Sequence, residues 1–163
     1  RKAAFTALGA ISPDYICMDG SIPRKKLGVV LNEITRLSKK YELAVANCFH
    51  AGDGNLHPLI MFDSNNKKEL KKAESFGADI LKYCVKVGGV LTGEHGVGIE
   101  KRDLMCEMFN NDDIQQQLSL KKAFDEKSLL NPGKVFPILH RCAEEGRVHV
   151  HKGKTRFPDL PSF

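Results

Sequence analysis

Apolar residues recur at helical spacing in two long segments of the chain. The first segment, residues 21–42, opens with Ser21 and Pro23, which favour the start of a helix. Its apolar stripe consists of Leu27, Val30, Leu31, Ile34 and Leu37. The second segment, residues 64–87, places lysines opposite a similar stripe, whose members are Leu70, Ala73, Ile80, Cys84 and Val87. An apolar residue at every third or fourth position predicts an amphipathic helix in each segment.

Short β-prone runs surround the two predicted helices. They are DYICMD (14–19), LAVANCFHAG (43–52), NLHPLIMF (55–62) and GGVLT (88–92). Asp53 and Gly54 separate the middle two runs and predict a hairpin with a two-residue type I′ turn. The resulting order, β-α-β-β-α-β across residues 14–93, predicts an α+β fold with a ferredoxin-like core.

The rest of the chain extends this core. A further helix is predicted over residues 112–127, with Asp112 or Asp113 as its cap. Residues 140–163 are polar, with prolines near the end, which is typical of a tail on the surface or against a partner domain. We therefore expect one domain over 1–139 and a tail over 140–163. The opening sequence RKAAFTALGA has no Met and no signal pattern, which is typical of the interior of a longer protein.

Charge and cysteine content argue against several classes of protein. The net charge is +5, but most basic residues alternate with acids at helical spacing, which predicts solvated helix faces and no nucleic-acid surface. No apolar run reaches the roughly 18 residues of a membrane span. The five cysteines form no CxxC pair, which favours neither a disulfide framework nor a zinc ribbon and fits a reducing cytoplasm.

Two histidines flank the predicted hairpin turn. If Asp53 and Gly54 form the whole loop, His50 and His57 oppose each other on one face, with Cβ atoms roughly 4.5–5.5 Å apart. Imidazoles in that position can share a metal ion at nitrogen distances of about 2.0–2.1 Å. In the alternative, paired histidines on a sheet only stack or hydrogen-bond to neighbours. A metal site would also need a third ligand, commonly a carboxylate.

A second polar pair lies in the glycine-rich stretch GGVLTGEHGVGIEKRD (88–103). Glu94 and His95 stand between Gly93 and Gly96, directly after a predicted strand, where scaffolds often carry functional side chains. Glu94 can supply the missing carboxylate and leave His95 free as an acid or base. In the alternative, the glycines serve only a tight turn, and Glu94 caps the following helix.

Three motifs, in this order, resemble the flavin-linked 2-hydroxyacid dehydrogenases and oxidases of the vanillyl-alcohol oxidase superfamily. They are HAGDGNLHP (50–58), GGVLTGEHGVGIEKRDLM (88–105) and LLNPGKVFP (129–137). Residues 11–27 are most similar to the bacterial glycolate oxidase FAD subunits of that group. The resemblance covers essentially the whole chain. It implies the C-terminal cap part of such a protein, without the N-terminal FAD-binding domain.

The resemblance also implies roles for individual residues. The implied ligands of a divalent metal (zinc, manganese or iron) are His50, His57 and Glu94. His95 matches the catalytic base of the family. Arg1 matches an arginine that binds the substrate carboxylate, and Asn131 lies in the segment that returns to the FAD.

The implied reaction is oxidation of a small 2-hydroxy acid, glycolate or D-lactate, to the 2-oxo acid, with hydride transfer to FAD. Enzymes of this group that act on 2-hydroxyglutarate have polar anchors where this chain has Cys17-Met18 and Pro58-Leu59. This difference suggests a substrate without a distal carboxylate. From the residues alone, a metal-dependent hydrolase or lyase and a non-catalytic interaction domain stay open.

The resemblance finally implies partners and a location. The partners are the protein's own N-terminal FAD domain, a second flavin subunit and an iron–sulfur subunit. The expected location is the cytoplasm, with peripheral attachment to the inner membrane through those subunits. We expect the chain alone to be inactive, because nothing in it encloses a dinucleotide.

Overall fold

The structure, a computed structural model, describes residues 3–137 of the 163-residue chain. The chain divides after Gly96 into two compact units. Arg1 and the predicted tail over 140–163 lie outside the described residues.

In the first unit, strands and helices alternate. The elements are α1 (Ala4–Leu8), β1 (Asp14–Cys17), β2 (Gly20–Ser21), α2 (Leu27–Tyr41), β3 (Val45–Asn47), β4 (Asn55–Leu56), β5 (Pro58–Phe62) and α3 (Lys67–Lys86). A three-stranded antiparallel sheet has the order β1-β5-β3, and β2 pairs with β4 in a separate antiparallel ladder. A 3-10 turn, Arg24–Lys26, leads into α2. The short helix α1 was not predicted.

The α+β class is confirmed, and most of the predicted element order is present. The order β1-α2-β3-β5-α3 follows the ferredoxin-like pattern, and α2 and α3 pack against each other while α3 also packs on β5. The predicted strand over residues 88–92 is wrong, because these residues form only an isolated bridge between Val90 and Ser21. After this bridge, the backbone N–H groups of residues 93–95 donate to the side-chain carboxylate of Asp19 and not to a neighbouring strand.

The core of the first unit lies between the two helices and the sheet. From α2 it includes Val30, Ile34 and Leu37, all about 1% exposed. From α3 the buried side chains are Ala73, Phe76, Ile80, Leu81 and Cys84. Most of these positions belong to the predicted apolar stripes. Burial also raises the pKa of the Cys84 thiol to about 12, as is typical of a cysteine that packs as a small hydrophobe.

The described cysteines differ in their bonding. Cys17, Cys48 and Cys84 are not in disulfides. Cys106, in the second unit, is disulfide-bonded. A disulfide framework was not expected, and Cys106 departs from that expectation.

The second unit is helical in its described part. A 3-10 turn (Arg102–Leu104) runs into α4 (Met105–Met108), and α5 spans Asn111–Phe124. The predicted helix over 112–127 is thus present, but the predicted cap, Asp112 or Asp113, is wrong. The cap is Asn110, and Asn110 and Asp113 form a reciprocal capping box. Cys106 and Ile114 form a small core with Phe109 and Leu118.

The Asp125 carboxylate organises the chain after α5. It accepts hydrogen bonds from the backbone N–H groups of Leu129 (2.8 Å) and Leu130 (3.0 Å) and from Lys121 Nζ (2.7 Å). These bonds bring the loop back against the helix end.

Within residues 3–137, no helix combines the length and the apolar character needed to cross a lipid bilayer.

Replacement of Phe76 by Ala should strongly destabilise the protein. Phe76 is 0% exposed and stacks on Tyr41, with ring centroids 5.5 Å apart. A buried Phe→Ala change costs about 3–5 kcal/mol of unfolding free energy, measurable by urea denaturation. Phe124→Ala is the control, because Phe124 is 82% exposed. Equal losses in both variants would contradict the packing described here.

Asp125 should make stability depend on acid pH. The hydrogen bond from Lys121 lowers the pKa of Asp125 below its ordinary value. A carboxyl with a lowered folded-state pKa stabilises the fold above its unfolded pKa of about 3.9, and this contribution disappears as the pH falls through the folded pKa. Denaturation curves should therefore show Asp125→Asn less stable than the wild type near pH 7, with the gap closing in acid. Glu126→Gln, at the exposed neighbouring carboxyl, is the control, and its stability should differ little from that of the wild type at every pH. The same pH dependence of stability in both variants would refute this role for Asp125.

Candidate functional site

The site begins with the register of the hairpin between β3 and β5. Val45 pairs with Ile60, Asn47 pairs with Pro58, and an isolated bridge joins His50 to Asn55. The turn therefore contains the four residues 51–54. The predicted two-residue turn, with His50 directly opposite His57, is wrong.

The backbone of the turn explains this difference. A type I′ turn needs positive φ at both central residues, and of Asp53 and Gly54 only Gly54 has it, at 77°. The N–H of Asp53 instead donates to the His50 carbonyl at 3.0 Å, and that of Gly54 donates to Ala51 at 3.3 Å. A Cβ on Gly54 would overlap the carbonyl oxygen of Ile22. The observed turn thus depends on glycine at position 54.

The two histidines nevertheless share one face of the hairpin. The predicted and observed registers differ by two residues, and a shift of two preserves the face on which each side chain lies. His50 and His57 are therefore diagonal neighbours, with ring centroids 5.3 Å apart and ring planes at 88°. His57 is buried, at 5% exposure, whereas His50 is partly exposed.

Glu94 joins the two histidines from the loop after α3. Its Oε1 lies 2.8 Å from His57 Nε2 and 3.9 Å from His50 Nε2. Nitrogen and oxygen atoms of all three side chains lie within 4.8 Å of one another. The predicted triad is therefore assembled in space.

This donor set fits a divalent cation. A tetrahedral ion with ligands at about 2.0–2.2 Å holds its ligand atoms roughly 3.4 Å apart. The two distances from Glu94 Oε1, 2.8 and 3.9 Å, lie on either side of that value. Two imidazoles and a carboxylate also match the preferences of zinc, manganese and iron.

His95 lies beside the triad. Its ring stacks on His57, with centroids 5.1 Å apart and planes at 21°. Its Nε2 is 3.8 Å from Glu94 Oε1, and its Nδ1 is 3.9 Å from Asp19 Oδ1. The side chain is about half exposed, at 48%, so one edge of the ring is accessible from the cavity described below.

Asp19 is a site residue that no sequence motif identified. This residue is 0% exposed, and its Oδ2 accepts the backbone N–H groups of Gly93 (3.1 Å), Glu94 (2.6 Å) and His95 (2.7 Å). The Thr92 hydroxyl donates to Oδ1 at 3.1 Å. The available signal was an acid at the end of the apolar run DYICMD.

Gly93 permits close packing at the centre of the site. A Cβ at this position would overlap Oδ1 of Asn55, a buried residue. Within the described part of the chain, this Oδ1 has no hydrogen-bond partner, and Nδ2 of the same side chain lies 3.5 Å from His57 Nε2. Asn55 therefore packs between the glycine and the buried histidine.

An open cavity of about 750 Å³ faces the cluster. Its polar side is formed by the three histidines and Glu94, and its other side is largely apolar. The lining residues are Phe5, Tyr15, Cys17, His50, His57, Glu94 and His95. The cavity is large enough for a small ligand that contacts both the donor cluster and an apolar wall.

The remaining two predicted site residues are Asn131 and Arg1. Asn131 lies in the second unit, where it is exposed and has a φ of 47° in the loop after α5. Arg1 lies outside the described residues. Their roles stay predictions.

Comparison with known proteins gives a consistent result along the chain. Residues 1–135 match the family described as "FAD linked oxidases, C-terminal domain". Glycolate oxidase subunit GlcD of Escherichia coli (strain K12) is 58% identical over 163 residues, which cover 100% of this chain and 33% of that protein. The GlcD subunit of Bacillus subtilis (strain 168) is 37% identical over 136 residues, covering 83% of this chain and 29% of that protein.

A third relative carries a different name. The mitochondrial D-lactate dehydrogenase (cytochrome) of Kluyveromyces lactis is 37% identical over 120 residues, or 74% of this chain and 20% of that protein. The chain thus spans one third or less of the length of these curated relatives.

Replacement of Gly93 by Ala should disturb the cluster. The added methyl group would displace Asn55 and, through it, His57, and we expect a loss of about 1–3 kcal/mol of unfolding free energy. Mn²⁺ affinity, measured by calorimetric titration, should fall with it. Gly28→Ala is the matched control, because a Cβ there meets nothing within 4 Å and the residue lies in α2. Unchanged stability and affinity in Gly93→Ala would argue against this packing.

Proposed function

Because the chain belongs to the family of FAD-linked oxidase C-terminal domains, we propose that it is part of an enzyme that oxidises a small 2-hydroxy acid. The substrate is glycolate or D-lactate, the product is the 2-oxo acid, and the hydride acceptor would be FAD. The observation that carries this proposal is the cluster of His50, His57, Glu94 and His95 around one cavity. The names of the relatives, glycolate oxidase subunit and D-lactate dehydrogenase, support the same reaction class.

In this proposal His50, His57 and Glu94 hold a divalent cation, which is zinc, manganese or iron. The donor types and their spacing support the assignment. When bound, the cation supplies positive charge that lowers the pKa of the substrate hydroxyl, and the flavin accepts the C2 hydrogen as hydride.

The proposed role of His95 is to take the hydroxyl proton on a ring nitrogen. Imidazole suits this role because a neutral ring nitrogen can accept a proton, and histidine is the most frequent general base in enzymes. The stack of His95 on His57 supports the proposal, since it keeps the base next to a proposed metal ligand. Proton removal by His95 and loss of hydride from C2 together account for both hydrogens lost from the alcohol.

The walls of the cavity support a small substrate. Phe5, Tyr15 and Cys17 form the apolar side, and no Lys or Arg is among the described lining residues. A second carboxylate on the substrate would have no cationic partner among them. For the single carboxylate we propose Arg1, and for contact with the FAD we propose Asn131.

The complete protein is proposed to contain further parts. Residues 1–139 form the cap, 140–163 form a tail, and an N-terminal domain binds the FAD, so the chain alone would be inactive. A second flavin subunit and an iron–sulfur subunit are the proposed partners. The word "subunit" in the names of two relatives supports an assembly.

The proposed location is the cytoplasm, at the inner membrane through those partners. Cys17, Cys48 and Cys84, which are not in disulfides, support a reducing compartment. The disulfide at Cys106 is an argument against a reducing compartment.

Two substitutions in the full-length, flavin-loaded protein separate metal binding from proton transfer. Glu94→Gln should weaken Mn²⁺ binding and flavin reduction together. His95→Gln should keep Mn²⁺ affinity and slow flavin reduction by about 10²–10⁴-fold. Stopped-flow bleaching of the flavin absorbance, with glycolate, D-lactate and D-malate as substrates, measures the rates.

Glu100→Gln is the control, because Glu100 is exposed and carries no proposed role. Near-normal flavin reduction in His95→Gln would remove this residue from the base role. Faster reduction by D-malate than by the two monocarboxylates would contradict the proposed substrate class.

A further inference from the structure

We propose that Asp19 is a positioning residue whose buried carboxylate sets the conformation of residues 92–95, so that Glu94 and His95 face the histidines of the hairpin. This inference rests on the proposed function, since it assigns Asp19 a purpose in the same site. Asp19 itself is not proposed to touch substrate or metal.

The hydrogen bonds converge on Asp19 from four consecutive residues. Its Oδ2 accepts from the N–H groups of Gly93, Glu94 and His95, at 3.1, 2.6 and 2.7 Å, and its Oδ1 accepts from the Thr92 hydroxyl at 3.1 Å. The backbone carbonyl of Asp19 also accepts from the Gly93 N–H at 3.1 Å. Bonds from N–H groups to an ionised carboxylate are shorter and stronger than neutral ones. One side chain therefore determines the path of the whole loop.

Because Asp19 is buried, its carboxylate needs hydrogen-bond donors from the surrounding protein. A carboxylate that is 0% exposed carries a high desolvation cost unless donors surround it. The N–H groups of Glu94 and His95 meet this need only when the loop adopts the observed turn. The carboxylate and the loop conformation are therefore mutually dependent.

Glycines give the backbone of this loop conformational freedom. Gly93 and Gly96 bracket the two functional residues. Gly96 has a φ of 83°, and a methyl group added to it would meet nothing within 4 Å. Glycine gives the backbone more accessible conformations than any other residue, and ordering it costs more entropy. Without the carboxylate, Glu94 and His95 would sample several positions relative to His57.

Strand pairing places Asp19 beside the hairpin that carries His50 and His57. Cys17 pairs with Leu59 in the β1–β5 ladder, and Gly20 pairs with Leu56 in the β2–β4 ladder. Both pairs follow one register, in which Asp19 stands opposite His57. Donor and acceptor atoms of Asp19, His57 and His95 lie within 4.8 Å of one another. Asp19 thus links the loop to the hairpin that carries the two histidines.

The test compares Asp19→Asn with wild type in the full-length, flavin-loaded protein. Asparagine keeps the size of the side chain but removes the charge and directs an NH₂ group toward N–H donors. Loss of a partner that orients metal ligands typically weakens metal affinity by about 10–100-fold. We therefore expect Mn²⁺ affinity to fall within that range. We also expect kcat for flavin reduction to fall by about 100-fold, as for misplaced catalytic groups.

Asp125→Asn is the matched control. Asp125 also holds a loop through two backbone N–H groups, but it lies in the second unit. Its replacement should lower stability while Mn²⁺ affinity stays within about threefold of wild type. Thr92→Val removes only the hydroxyl bond and should show a smaller loss than Asp19→Asn.

Hydrogen exchange provides a readout that does not depend on activity. The amides of Glu94 and His95 belong to exposed residues, yet their bonds to Asp19 should slow their exchange well below that of an unstructured peptide. In Asp19→Asn these two amides should exchange at least tenfold faster, while the amides of α3 keep their protection. If that variant fails to fold, slow exchange in the wild type still supports the inference, and exchange at peptide rates overturns it.

The outcomes separate this inference from the proposed function. A wild type that binds Mn²⁺ and reduces its flavin, together with a folded Asp19→Asn variant that matches it in affinity and kcat, overturns the positioning role alone. A wild type that shows neither Mn²⁺ binding nor flavin reduction overturns the proposed function, whatever the exchange data show for the loop.

Discussion

The register of β5 between β1 and β3 is the constraint on which the site depends. Because β5 pairs antiparallel with both neighbours, the positions of its residues are set from two sides. The same register places His50 diagonally across from His57 and brings Asp19 opposite His57. A shift of one residue in either pairing would turn these side chains to the other face of the sheet. The hydrophobic contacts of α2 and α3 with this sheet make such a shift costly.

Electrostatics then decide which groups complete the site. Asp19 is surrounded by N–H and O–H donors, so its negative charge is compensated within the protein. Glu94, by contrast, directs Oε1 toward two imidazoles and is half exposed, at 50%. Two carboxylates in one small region therefore have different environments. The buried one holds the backbone, and the accessible one is free to bind a cation, as we propose.

The glycines of the site have separate physical roles. Gly54 supplies the positive φ of the hairpin turn, and Gly93 leaves room for the buried amide of Asn55. The motif GDGN therefore encodes a turn, and the motif TGEHG encodes close packing at Gly93 followed by a positive φ at Gly96. Each motif places one part of the cluster, and the fold of the first unit brings the parts together.

Several features of this protein follow from the sequence by itself. The period of apolar residues located α2, α3 and α5, because helix burial repeats every three to four residues and is a local property. The residue types and glycine spacing also identified His50, His57, Glu94 and His95 as candidates, and the structure brings these four together. The register of the hairpin, the reduction of residues 88–92 to a single bridge, and the role of Asp19 were decided only by the tertiary structure. Strand register depends on pairing between separate segments of the chain, and the partners of a buried carboxylate can lie far away, as Glu94 and Asp19 do at 75 positions apart. No local pattern records such contacts.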